Sequence, residues 1–284
     1  MISMPCHSRS VGLSLLIGCL LGVSAAMAQP KPQRVASLNL CTDQLLLALA
    51  DRHQIASLSR LSRDPSVSFM SKQAAELPLN AGGAEALLFS KPDLVLTGTY
   101  GQQDRVAILR RQGLDVLQLG PWSGLAEGRE QIRILANRLG HADRGEALIA
   151  GIDAALDRAR DAVPDGRSIL VYERGGWVTD ARSPLSEVLM QMGFTLHQEV
   201  LGQSHGGVVR LETIVTAPPD FMLVDAGSLR AIDNGTALFA HPALAAAVPH
   251  ERRLAVPGRL TICGGPSTPA MIEALTAEAR AKLP

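Results

Sequence analysis

Two stretches of this chain are written to one plan. "AEALLFSKPDLVL", Ala84 to Leu96, and "LETIVTAPPDFML", Leu211 to Leu223, each run from a glutamate (Glu85, Glu212) to a proline seven places on (Pro92, Pro219), then an aspartate (Asp93, Asp220) and an apolar run. Proline lacks an N–H and clashes with the preceding helical turn, whereas a carboxylate suits the positive end of a helix. Each stretch reads as a short helix opened by a carboxylate, stopped before a proline and followed by a buried strand. A chain that repeats such a unit is expected to fold as two similar halves.

The rest of the sequence supports that division. Short apolar runs alternate with amphipathic ones: "RVASL" then "TDQLLLALA", "PDLVLTG" then "QQDRVAILRRQG", "DVLQLG" then a long helical stretch. The alternation resumes after Pro164 with "SILVYE", "SPLSEVLMQMG", "DFMLVD" and "RRLAVP", and ends in the helix carrying "PAMIEALTAEARAKL". Strand and helix in alternation imply parallel sheets with helices on both faces. Between the halves, residues 142–163 hold no proline, and Leu148, Ile152, Leu156 and Ala159 recur at helical spacing. That run predicts a rod of about 33 Å, a strut joining the halves. The fold class expected is α/β: two lobes with parallel-type sheets joined by a single long helix. The lobes are expected over 29–141 and 164–284, with the connecting helix over 142–163.

The first residues indicate export. Arg9 is followed by "VGLSLLIGCLLGV" and then "SAAMA", with small residues at Ala26 and Ala28, the layout of a signal peptide over 1–28 cleaved after Ala28. "LIGC" reads as a rival box that would lipid-anchor the chain through Cys19. No later segment has the 18 or so apolar residues that a membrane span requires. Lys and Arg number 27 against 27 Asp and Glu, and the leader takes away only Arg9. Near-neutrality excludes an electrostatic grip on nucleic acid or anionic lipid.

In open parallel sheets ligands bind beyond the carboxyl ends of the strands, where loops and helix N-termini converge. That rule picks out Asn39, Cys41 and Thr42 after the first strand, Arg60 after "IASLS", Tyr100 after "LVLTGT" and Trp122 after "VLQLGP". In the second half it picks out Tyr172, Glu173, Arg174 and Trp177 from "YERGGW", Ser204 and His205 from "GQSHGG", Asp225 after "FMLV", and Cys263 in "ICGGP". Aromatics are scarce, at 3%, yet Tyr100, Trp122, Tyr172 and Trp177 all fall at strand ends. Flat side chains with a polar edge suit a corrin, a porphyrin or an aromatic chelate. Arg60, Arg174 and His205 are the members able to meet an anionic group.

Taken together, the opening "RVASLNLCTDQLLLAL", the two echoed units and the connecting helix resemble the periplasmic solute-binding proteins of ABC importers, in the helical-backbone class that captures cobalamin, ferric siderophores or heme. The resemblance covers nearly the whole chain after the leader. It implies two α/β lobes with a ligand cleft between them that closes little, and a glutamate on each lobe, here Glu85 and Glu212, that docks near arginines of the inner-membrane permease. The implied ligand is a small metal chelate, a ferric siderophore or a cobalamin-like corrinoid, held by a monomer that needs no catalytic cofactor. A metal-ion receptor using thiol, histidine and carboxylate ligands is the first alternative, and a periplasmic enzyme the second. The chain has no Walker phosphate loop, no His-Glu-x-x-His and no Cys-x-x-Cys, and Ser204 beside His205 is a dipeptide whose members rarely orient as nucleophile and base.

Cys41 and Cys263, the two cysteines beyond the leader, depart from the usual pattern of that class. An oxidising compartment favours pairing, which needs Cα atoms within about 7 Å. Three readings stay open: a disulfide stapling the lobes, a pair of cleft-facing thiols able to hold a soft metal or its complex, or two inert buried residues.

Overall fold

Two four-stranded parallel sheets share one strand order. In this computed structural model, which describes residues 1, 30–100 and 103–283, the first sheet is built from β1 (Val35–Ser37), β2 (Ile55–Ser57), β3 (Leu94–Gly98) and β4 (Val116–Leu119) in the order β2-β1-β3-β4. The second half contributes β5 (Ser168–Val171), β6 (Trp177–Val178), β7 (Thr195–Leu196), β8 (Gly207–Val208), β9 (Phe221–Asp225) and β10 (Arg253–Val256). Its sheet runs β7-β5-β9-β10, the same order counted within the half, and β6 and β8 form a separate antiparallel ladder. The expected leader and Cys19 lie outside the described residues. No helix among the described residues is long and apolar enough to cross a membrane.

Side chains alternate between the faces of a strand, and here each face of each sheet meets a core. Val35, Leu94, Leu96 and Leu119 of the first sheet and Ile169, Val171, Phe221, Leu223, Leu254 and Val256 of the second belong to one continuous cluster. The intervening residues face outward into two smaller cores: Ala36, Val95 and Val116 under the first sheet, and Leu170, Tyr172, Met222 and Val224 under the second. Burial on both faces explains why the central strands are almost uninterruptedly apolar.

The shared core is carried by the helix Ala142–Ala159, whose buried face holds Gly145, Ile149, Ile152, Leu156 and Ala159. It packs against the Leu125–Leu139 and Leu40–Leu49 helices of the first half and the Thr268–Lys282 and Pro184–Gln191 helices of the second. A Cβ at Gly145 would sit 2.6 Å from the Ala136 Cβ, so the Leu125–Leu139 helix crosses here at a distance only glycine allows. The helix has 18 residues, about 27 Å, shorter than the rod expected over 142–163. It stops because Arg160 adopts φ −55°, ψ 130° and Asp161 turns left-handed at φ 53°.

The echoed units owe their aspartates to the sheets. The first unit is the helix Ala84–Ser90 leading into β3, and the second is the helix Leu211–Thr216 leading into β9. The Asp93 carboxylate accepts the backbone N–H groups of Gln33 (2.7 Å) and Arg34 (2.9 Å), just ahead of β1. Asp220 does the same for β5: it accepts the Ser168 N–H at 2.8 Å and the Ser168 hydroxyl at 2.9 Å, while its own N–H donates back to Ser168 Oγ at 2.8 Å. Each aspartate pins the start of the neighbouring strand and so fixes where the two central strands begin. The Ser168 N–H holds the Asp220 carboxyl below its usual range, against the opposing effect of burial and with help from the Ser168 hydroxyl.

Asp43, in the first turn of the Leu40–Leu49 helix, is fully buried. It accepts the Ser59 N–H at 3.1 Å and the Ser59 hydroxyl. Burial raises its pKa to about 6, although the hydroxyls of Ser59 and Ser37 and the Ser59 N–H work the other way.

Two tests follow from these carboxylates. Asp220→Ala should lower the urea unfolding free energy by about 1.5–3 kcal/mol, the range for hydrogen bonds to a charged group; a loss below about 0.5 kcal/mol would show that the strand start needs no clamp. For Asp43 the folded pKa lies above the unfolded one, so the folded state binds the extra proton and stability falls as pH rises between about 4 and 6.5. Asp43→Asn removes that titration and keeps the acceptor for the Ser59 N–H. Its stability relative to the native chain should therefore grow across this window by about 2–3 kcal/mol, and a pH-independent difference would contradict the burial argument.

Candidate functional site

The carboxyl ends of both sheets open on one cavity of about 850 Å³. Its wall is drawn largely from the segments that follow β1, β2, β3 and β4 in the first half and β5, β9 and β10 in the second. Most of that wall is apolar, including Leu40, Leu45, Leu61, Leu119, Trp122, Leu185, Ile262 and Met271.

Three interactions tie the halves together at this cavity. Cys41, on the first helix, is bonded to Cys263 in the turn after β10, with Cα atoms 5.2 Å apart. This selects the disulfide among the readings open from sequence, and no free thiol is left to ligate metal at either position. Beside it, the Trp122 indole lies between Gly128 of its own half and Gly264 of the other, so close that a Cβ at either glycine would overlap the ring. Glu187, on the Pro184–Gln191 helix, accepts the Leu125 N–H at 2.8 Å, satisfying one of the unpaired donors at the start of the Leu125–Leu139 helix.

Ten of the residues expected from the strand-end rule line the cavity: Asn39, Cys41, Thr42, Tyr100, Trp122, Tyr172, Glu173, Arg174, Asp225 and Cys263. Several also serve the fold. Asn39 caps the Leu40–Leu49 helix, its side-chain oxygen accepting the Thr42 N–H at 2.9 Å, and Thr42 shares a 2.8 Å hydrogen bond with Ser37. The Tyr172 ring turns into the second half's outer core, edge-on to Phe239 at 5.6 Å, and burial pushes its phenol up from the ordinary value. Asp225 is cradled by the N–H groups of Gly227 (3.1 Å), Ser228 (2.9 Å) and Gly258 (2.7 Å) and by the Ser228 hydroxyl (2.9 Å). Burial acts to raise its pKa, but these four donors together hold it low. Glu173 accepts the Thr179 hydroxyl at 2.7 Å, and Arg174 donates to Asp233 at 2.8 Å. Tyr100 stands at the wall with 78% of its surface exposed.

Four expected residues are not on this wall. Arg60, itself exposed, opens a 3-10 turn, and its neighbour Leu61 lines the cavity instead. Trp177 belongs to the ladder, opposite Val208, and is 48% exposed; side-chain alternation turns Val178, not Trp177, into the core. The Ser204 carbonyl accepts the Ala181 N–H at 2.9 Å, and His205 Nδ1 lies 3.4 Å from Arg182, which is itself paired with Asp180. Conversely, Thr179, Ser183, Leu185, Gln131 and Met271 line the cavity unannounced. Of these, Ser183 had a legible signal: a serine ahead of a proline, capping the Pro184–Gln191 helix by accepting the Ser186 N–H at 3.1 Å.

The Gly202–Gly206 letters match Gly-x-Ser-x-Gly. A nucleophile elbow needs a strand entering and a helix leaving. Here a short helix, His197–Val200, enters and β8 leaves, so the elbow geometry is not formed. Among the described residues no three His, Cys, Asp or Glu side chains converge as a metal site. Glu85 and Glu212 are both exposed in the first turns of their short helices.

The periplasmic binding protein family model matches residues 35–252. Among solved structures, a periplasmic heme-binding protein, RhuT, from Roseiflexus sp. RS-1 is 22% identical, with 88% of this chain and 97% of that chain covered and a TM-score of 0.67. A periplasmic heme-binding protein from Pseudomonas aeruginosa is 20% identical over 88% of this chain and 93% of that one, with a TM-score of 0.67. A possible iron-binding (periplasmic solute-binding) protein from Staphylococcus epidermidis ATCC 12228 gives a TM-score of 0.70 at 14% identity, over 90% of this chain and 100% of that one. No curated protein matches the sequence. At these identities the structural likeness speaks for the fold, which the paired sheets and the spanning helix also establish. With the family model matching most of its length, this chain belongs to the periplasmic binding protein family.

Proposed function

We propose that this chain is the periplasmic receptor of an ABC importer, that it captures a metal chelate in the cavity between its halves, and that it delivers the chelate to an inner-membrane permease. The chelate is of the corrinoid, heme or ferric siderophore kind. The observation that carries this reading is the cavity itself: about 850 Å³, bounded by strand ends of both sheets, mostly apolar and walled by Trp122. Such a space suits a large, flat ligand with a polar edge. The lobes are assigned to 29–141 and 164–284, with 142–163 between them, and the monomer is the acting unit. Its task is capture and handover, without a catalytic cofactor. A metal-ion receptor is disfavoured because Cys41 and Cys263 are spent on each other and Asp225 already has four donors.

Binding should involve little movement. The disulfide, the Trp122 wedge and the Glu187 contact all cross between the halves at the cavity, so the receptor starts close to its bound shape. The exposed pair Glu85 and Glu212, one on each half, offers the permease two carboxylates at matching places in the repeat.

Tryptophan fluorescence reads the first part of this proposal, because Trp122 is on the cavity wall and Trp177 is not. Titration with cyanocobalamin, hemin and a panel of ferric siderophores should yield a ligand that quenches the native chain and Trp177→Phe alike, with the quench lost in Trp122→Phe. No quenching by any of them, or a quench that follows Trp177, would refute capture in this cavity. The second part is read by uptake: Glu85→Ala with Glu212→Ala should abolish transport in cells while leaving the affinity of the purified receptor unchanged. Weakened affinity in the double variant would place these carboxylates in ligand binding instead.

A further inference from the structure

The charge of the cavity wall narrows the ligand further, given the receptor reading above. Among the described residues, the charged side chains on that wall are Glu173, Arg174 and Asp225, all from the second half. The first half contributes only apolar and uncharged polar groups. Among the described wall residues Arg174 is the one cation, and its guanidinium is already paired with Asp233 at 2.8 Å. Among the described residues neither carboxylate is paired with a cation: Glu173 accepts from Thr179, and Asp225 accepts from backbone N–H groups and one hydroxyl. Among the described residues no lysine or histidine lines the cavity. Arg60 and Arg259 stand beside the wall residues Leu61 and Gly258, but both are exposed, where salt screens a charge within about 10 Å at 0.1 M.

We infer that the cavity selects metal chelates carrying no net negative charge, uncharged or cationic complexes with an apolar face and a rim of amide or hydroxyl groups, and discriminates against polyanionic chelates. A polyanion entering this wall would give up its hydration beside Glu173 and Asp225 and would have to take Arg174 from Asp233. An uncharged chelate meets neither obstacle. Its amide or hydroxyl edge finds Thr99, Thr179 and Ser183 on the wall, and its apolar face finds Trp122. Heme presents two carboxylates and falls on the disfavoured side of this rule.

The test uses pairs of probes that share a skeleton and differ in charge, so that shape and charge are read separately. Cyanocobalamin is paired with its corrin hexacarboxylate, and hemin with its dimethyl ester. All are titrated against the disulfide-intact full-length receptor at two ionic strengths. The expected result is that the uncharged member of at least one pair binds about tenfold or more tightly than its anionic counterpart, with the gap narrowing in high salt. Glu173→Lys, checked for folding by circular dichroism, should shift the anionic-to-neutral affinity ratio toward the anion by about fivefold or more. Tighter binding of the anionic member in any pair would overturn the charge rule and leave the receptor reading standing. An unchanged ratio in Glu173→Lys would overturn its assignment to these wall charges, and silence from every pair would sink chelate capture and the rule together.

Discussion

Both sheets turn one face into the same apolar core, and everything else in the molecule is arranged around that fact. The Ala142–Ala159 helix does not hang between two separate bodies. Its buried face, Ile149, Ile152 and Leu156, lies in the cluster that also holds Val35 and Leu96 of the first sheet and Ile169 and Leu223 of the second. Separating the halves would expose that cluster to water, at a cost proportional to the apolar area uncovered. The disulfide, the Trp122 wedge and the Glu187 contact act on a pair of halves already held by their interior. They add a constraint at the cavity, where a void would otherwise leave the contact weakest.

The repeated unit shows how one stretch of sequence can serve two masters. Leu87 and Ile214 are buried at equivalent places, the prolines end the helices, and Asp93 and Asp220 reach back to hold β1 and β5. These letters recur because the sheet requires them in each half. Glu85 and Glu212 recur without any such contact, exposed at the helix starts. A carboxylate there gains about 0.3–1 kcal/mol from the helix dipole, a weak reason for the same residue to appear twice. The echo therefore divides into a part that the fold explains and a part that it does not, and the second part is where an external partner is sought.

Most of the architecture was legible because period and punctuation are local. Alternation of apolar runs, prolines and caps revealed both sheets and the long helix without any tertiary information. What escaped was non-local. The β6 and β8 ladder is made of two-residue strands, too short for a pattern. The long helix ended early because Asp161 accepted a left-handed conformation that no rule of spacing forecasts. At the site, the strand-end rule found the wall after most strands of the two main sheets, but after β2 it picked Arg60 where Leu61 lines the cavity. It misplaced Trp177, Ser204 and His205, which belong to the ladder and its turn, and it could not find Gln131 or Met271, which reach the cavity from the middle and start of helices packed across it. The disulfide was one of three options until the two turns were seen to meet.

The same rigidity that makes the cavity legible also decides how it can discriminate. A receptor whose lobes swing apart can move side chains onto whatever enters and recruit distant charges as it closes. Here the wall next to the disulfide is fixed by a ring lying on two glycines, and the charged groups are fixed by partners of their own: Asp225 by four donors, Glu173 by Thr179, Arg174 by Asp233. A ligand cannot count on freeing them without breaking those bonds. Selection must then come from what the resting cavity already presents, an apolar surface bordered by neutral polar groups with a slight excess of negative charge. On the proposed reading, shape sets which chelates can enter such a cavity, and charge sets which of them stay.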